Sequence, residues 1–134
     1  DSISYKEFTA SDSNDIGSVV QSAIEYADVI YIPTDNTMAQ NTEAINNIAL
    51  PAGVPIIAGE EGICSGCGVA TLSISYYGIG YKAGEMAYDI LVNGADISTM
   101  NVESAPQVTK EYNKDICDQL GITIPDDYTA IETN

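Results

Sequence analysis

The stretch VIYIPTDNTMAQNTEAI, residues 29–45, decides how this chain is read. Val29, Ile30, Tyr31 and Ile32 form a continuous apolar run, the pattern of a parallel strand covered by helices on both faces. Met38, Thr42 and Ile45, followed by Ala49, line one side of a helix predicted over 37–49, which Leu50-Pro51-Ala52-Gly53 stops. Between them stand Pro33, Thr34, Asp35, Asn36 and Thr37, residues that turn the backbone or offer it hydrogen bonds. Strand, polar turn and helix in that order are half of a parallel crossover unit.

Upstream, Ile3–Phe8 alternates loosely as a strand and 9–14 supplies turn and capping chemistry. Ile16, Val19, Val20, Ala23, Ile24 and Ala27 then make one apolar stripe along a helix over 15–27. Downstream, Val54–Ala58 is a strand, 59–68 a glycine-rich loop and Val69–Ser75 another strand. A helix follows, with Ile79, Ala83, Met86, Ala87, Ile90 and Leu91 on its inner side and Asn93-Gly94 at its end. A strand over 107–112, a short helix over 114–120 stopped by Gly121, and a loose polar tail over 125–134 complete the chain. This order predicts an α/β fold of three layers, a mostly parallel sheet flanked by helices in a flavodoxin-like or Rossmann-like layout, with residues 1–134 as one domain.

Four lysines, no arginine and no histidine face twenty acidic residues, for a formal charge of -16. Such a surface repels phosphate backbones and anionic lipid, so neither nucleic acid nor a membrane surface is a partner. No apolar run reaches the roughly 18 to 20 residues of a membrane span. The chain opens at Asp1-Ser2-Ile3, almost inside a strand-like stretch, as a piece of something longer would.

Three cysteines include Cys64-Ser65-Gly66-Cys67. With one further cysteine and no histidine, a four-ligand zinc site cannot be assembled, so no metal is predicted. The motif is read inside a loop, away from the helix N-terminus that activates a redox thiol, which favours plain loop or core cysteines over a disulfide or a redox pair.

In open α/β sheets ligands lie beyond the carboxyl ends of the strands. That rule selects Thr34, Asp35, Asn36 and Thr37, then Glu60 and Glu61, then Tyr76 and Tyr77 as candidate binding residues. The plainer reading of the first group is a helix cap, worth roughly 0.5 to 2 kcal/mol. That of the glutamates is a solvated pair. Their functional reading is recognition of an ammonium group, whereas two adjacent residues on an extended segment face opposite ways and do not make a paired-carboxylate hydrolase. Alternation would send one tyrosine to the core and leave the other to stack on a ligand. The glycines at 78, 80 and 84 have the wrong spacing for a dinucleotide fingerprint, no nucleophile or phosphate motif occurs, and the commonest general base is absent, so the chain is read as no enzyme and as needing no cofactor.

The segments ADVIYIPTDNTMAQNTEAI (27–45), VPIIAGEEGICSGCGVATLSISYYGIGYKAGEMAYDILVNG (54–94) and KDICDQLGITIP (114–125) resemble the substrate-binding proteins of ABC importers, in particular the tryptophan- and tyrosine-binding group. The resemblance runs from about residue 3 to 125. It implies the type I periplasmic binding protein fold, two α/β lobes closing on a ligand. By that likeness this chain is most of the C-terminal lobe, without the N-terminal lobe and without the first strand and helix of its own. Residues 34–37, 59–61 and 75–77 would then line the ligand side, and 101–112 would hold the final crossover between lobes.

The resemblance implies capture, not turnover. A small amino acid-like solute, possibly aromatic, binds and is delivered to the permease subunits, and the protein works outside the membrane as a periplasmic protein or cell-surface lipoprotein. Asp35 or Glu60 would hold the ammonium. With no arginine, a ligand carboxylate would meet backbone N–H groups near Asn36 and Thr37 or the hydroxyls of Thr34 or Tyr76. Without the missing first strand, Ile3–Phe8 and 28–32 would lose a shared neighbour and would pair directly or through a homodimer. The effector domain of a repressor, which has the same fold, is the rival reading; a receiver-like phosphoacceptor domain lacks a suitably placed acidic pair and lysine.

Overall fold

The structure, a computed structural model, describes residues 3–104 and 107–132. The decisive apolar run becomes β1 (Ile30–Ile32), which pairs in parallel with β2 (Ile56–Ala58), itself parallel to β3 (Ala70–Ile74). β4 (Val108–Tyr112) lies antiparallel to β3, and β5 (Thr129–Ala130) is parallel to β4, in the order β1-β2-β3-β4-β5. Helix α1 (Ile16–Ile24) precedes β1, α2 (Asn36–Ala39) and α3 (Thr42–Ala49) join β1 to β2, and α4 (Glu61–Cys67) joins β2 to β3. α5 (Tyr76–Leu91) and a 3-10 turn (Ile97–Thr99) follow β3, and α6 (Lys114–Leu120) separates β4 from β5.

The main core lies on one face of the sheet, where Ile16, Val20, Ile45 and Ile63 of the helices meet Ile32, Ile56 and Ala58 of the strands. Each such isoleucine, once buried, contributes about 1.5–3 kcal/mol. On the other face α6 covers only one end, setting Ile116 and Cys117 against Val69 and Ala70. Tyr31, Ile57 and Leu72 therefore stand exposed on that face, so β1 is covered on one side and not on both. The apolar run at 29–32 reports a strand suited to two covers, only one of which this chain supplies.

Several elements differ from their sequence reading. Ile3–Phe8 is not a strand: it finds no partner among the described residues, and a strand without one leaves its backbone groups unpaired. Phe8 instead packs on Tyr26 with ring centroids 6.1 Å apart, beneath Lys6 Nζ at 4.6 Å. The helix over 37–49 breaks at Gln40-Asn41 into α2 and α3. The loop over 59–68 is largely α4, whose glycines serve close packing: a Cβ on Gly66 would lie 2.2 Å from Thr42 Oγ1 of α3. The α5 stripe is regular, yet none of its residues is buried. The segment read as a loose tail carries β5, which places Tyr128 and Ile131 as half-buried packing groups. Thr133 and Asn134 of that tail, Asp1 and Ser2 at its opposite end, and Ala105 and Pro106 of the crossover stretch lie outside the described residues. α6 matches its reading, with Gly121 ending it in the left-handed conformation at φ 67°.

Candidate ligand-binding rim

Because β1, β2 and β3 run in parallel, their carboxyl ends open at one end of the sheet, and each is followed by a helix. All three helix starts are capped by a side chain. Asp35 Oδ1 accepts from the Met38 N–H at 2.9 Å, and Ser75 Oγ from the Gly78 N–H at 3.0 Å. Both oxygens of Glu60 are used, Oε2 accepting from the Gly62 N–H at 2.9 Å and Oε1 from the Ile63 N–H. Each cap of this kind stabilises its helix by about 1 kcal/mol.

The first two turns are fastened to each other. The Gly59 N–H donates to the Ile32 carbonyl at 2.8 Å, and Thr34 Oγ1 donates to the Gly59 carbonyl at 3.1 Å. A Cβ on Gly59 would stand 2.6 Å from the Thr34 nitrogen and 2.9 Å from the Pro33 carbonyl carbon, so only glycine fits that approach.

The eight predicted residues all sit on this rim. Thr34, Asp35, Asn36 and Thr37 are exposed, Glu60 is half-buried and Glu61 exposed. The glutamates do not alternate on an extended segment; Glu60 caps α4 and Glu61 begins it. Tyr76 and Tyr77 likewise open α5, so neither enters the core: they are 61% and 82% exposed. Tyr77 stacks on Tyr81, one helical turn on, with centroids 6.4 Å apart. An open groove of about 720 Å³ lies elsewhere, between α5 and residues 100–103, where Met86, Tyr88, Met100 and Glu103 line it. None of the eight lines that groove.

Sequence reading missed Thr71, Ser73 and Glu111. Thr71 and Ser73 are buried on β3, and Glu111 stands directly opposite Thr71 on β4. Burial raises the Glu111 carboxyl above its ordinary range, the Glu61 carboxylate adds to the rise, and the Ser73 hydroxyl opposes it. Their signal was the polar pattern T-x-S inside an apolar strand, which only the β4 register connects to a carboxylate.

All three cysteines are free and buried. Burial pushes Cys64 and Cys67 up to about 12, and they occupy the middle and end of α4, where the helix dipole disfavours a thiolate. They are core thiols. Asn113, also buried, donates to the Cys64 and Ser65 carbonyls and accepts from the Ile116 N–H, joining the middle of α4 to the start of α6.

The profile of the ABC transporter substrate binding protein family matches residues 1–133. A tyrosine-binding protein of Clostridioides difficile (strain R20291) is 32% identical over 105 residues, which is 78% of this chain and 30% of that protein. Among solved structures, the ligand-free, open form of a substrate binding protein with adhesive properties from Clostridium difficile superimposes with a TM-score of 0.73 at 33% identity, over 93% of this chain and 43% of that one. An ABC domain in complex with L-Trp from Streptococcus pneumonia superimposes with a TM-score of 0.77 at 27% identity, over 90% and 41%. The chain belongs to the ABC transporter substrate-binding protein family. It spans less than half the length of each of these relatives, all of them binding proteins, and none supports the repressor reading.

Proposed function

We propose that this chain is the C-terminal lobe of a two-lobed binding protein that captures an amino acid-like, preferably aromatic, solute and hands it to an ABC permease. The observation that carries the reading is the rim: three parallel strands open at one end of the sheet, each in a polar, side-chain-capped turn, in a family whose relatives include a tyrosine-binding protein and a structure in complex with L-Trp. Exposed Tyr76 and Tyr77 offer rings for stacking, and the free N–H groups at the start of α2 and the Thr34 to Thr37 side chains suit a carboxylate. The uncovered stripe of α5 and the bare sheet face around Tyr31 and Leu72 fit packing against further chain. Work outside the membrane, periplasmic or lipid-anchored, belongs to the same reading, as does pairing of copies through the free outer edge of β1 when the lobe is alone.

Amide-resolved NMR titration with L-tyrosine and L-tryptophan tests it. Saturable shifts at 34–37, 59–61 and 75–77 are expected, with an affinity well below that of a two-lobed version, since one lobe makes only part of the contacts. Absence of shifts at all three turns with both amino acids refutes the reading.

A further inference from the structure

The last residue of β2, Ala58, is level with Thr71, only the second residue of β3. β3 and its partner β4 therefore project past the end of β2 toward the rim. Side chains alternate along a strand, so Thr71, Ser73 and Glu111 share the face on which Ala58 meets α4. Thr71 is 1% exposed, and its hydroxyl has no hydrogen-bond partner; Glu111 Oε2 is buried and equally without one. The Glu61 carboxylate, at the start of α4, adds to the rise of the Glu111 carboxyl.

None of the four lysines answers these carboxylates among the described residues. Lys6 lies over the Phe8 and Tyr26 rings, Lys82 pairs with Glu85, Lys110 with Asp127 and Lys114 with Asp118. Two like charges at the edge of a core, beside an unanswered hydroxyl, are costly unless a positive group is supplied from outside. Glu60 cannot take that role freely, because both its oxygens cap α4.

We infer that Glu111 and Glu61, with the hydroxyls of Thr71 and Ser73, receive the ammonium group of the bound solute. This rests on the amino acid-binding reading and assigns its charge recognition to a pair that includes a residue outside the three turns. Two carboxylates and two hydroxyls, with no cluster of three acidic, cysteine or histidine ligands among the described residues, suit a primary ammonium better than a divalent metal.

The test uses the 134-residue chain and two probes, methylammonium chloride and L-tyrosine, followed by NMR at Thr71, Ser73 and the Glu111 side chain, with sodium chloride at equal concentration as the control. Saturable shifts with methylammonium but not sodium are expected. Glu111→Gln should weaken them by about tenfold or more, the loss of a charge-assisted contact, while Glu25→Gln, at the far end of α1, leaves them unchanged. Glu61→Gln provides the same readout should Glu111→Gln not fold. Equal shifts with sodium, or no effect of either glutamine variant, overturns the inference. Binding of L-tyrosine at the three turns without any methylammonium response sinks this inference alone. A methylammonium response without L-tyrosine binding sinks the amino acid reading and keeps the cation site.

Discussion

Helices α4 and α5 begin the same way and end up in opposite environments. Each follows a parallel strand and opens on a side-chain cap, Glu60 for one and Ser75 for the other. α4 has seven residues, two of them glycine, and buries Ile63, Cys64 and Cys67; α5 has sixteen residues and a regular apolar stripe, and buries none. A cap and a periodic stripe thus suffice to set a helix, but burial depends on what the rest of the chain brings to it. The shorter and less helix-prone of the two is the one the fold depends on.

The largest contrast should come from truncating one apolar side chain in each. Ile63→Ala is expected to cost about 2–5 kcal/mol in urea unfolding, as a fully buried isoleucine leaves a cavity, and Leu91→Ala to stay within about 0.5 kcal/mol. Similar costs for both would break the comparison.

Alkaline unfolding follows. The thiols of Cys64 and Cys67 are raised from about 9 to about 12 in the folded chain, so the folded state holds their protons where the unfolded state releases them. Their contribution is complete below about pH 9 and is lost as pH rises toward about 12. Circular dichroism against pH should show the loss, and Cys64→Ala/Cys67→Ala should flatten that limb of the curve.

Glycine substitutions should sharpen the contrast through opposite signs. Gly66→Ala drives a methyl into Thr42 of α3 and should cost about 1–3 kcal/mol, whereas Gly84→Ala on α5 meets nothing within 4 Å and should strengthen that helix by up to about 1 kcal/mol. Thermal melts and helicity by circular dichroism give both. Smallest is Ser75→Ala: the lost cap, about 1 kcal/mol, should appear as faster amide exchange in the first turn of α5 with the global midpoint almost unmoved.

What the sequence made legible was the succession of β1 to β4 along the chain, the mostly parallel sheet and the three turns at the strand ends, because apolar runs and turn residues act locally. α6 was legible to its last residue through Gly121, its stop; its cap, Asn113, was not read. α4 was not, because Gly62 and Gly66 read as loop residues while their reason for being small, the nearness of the Glu60 carboxylate and of Thr42, is tertiary. Only the spacing of Ile63, Cys64 and Cys67 hinted at it. Ile3–Phe8 failed for the converse reason: its pattern suits a strand, but no strand among the described residues pairs with it. Glu111 stayed hidden because its relation to Thr71 is one of register between strands separated by a long helix.

The contact of Gly59 with Pro33 and Thr34 has a mechanical meaning. Held by a backbone bond on one side and a hydroxyl on the other, the turns after β1 and β2 form a single stiff lip, and whatever displaces one carries the other with it. No such tie reaches Ser75 among the described residues, so under the proposed function adjustment to solutes of different girth would fall to the tyrosine-bearing start of α5.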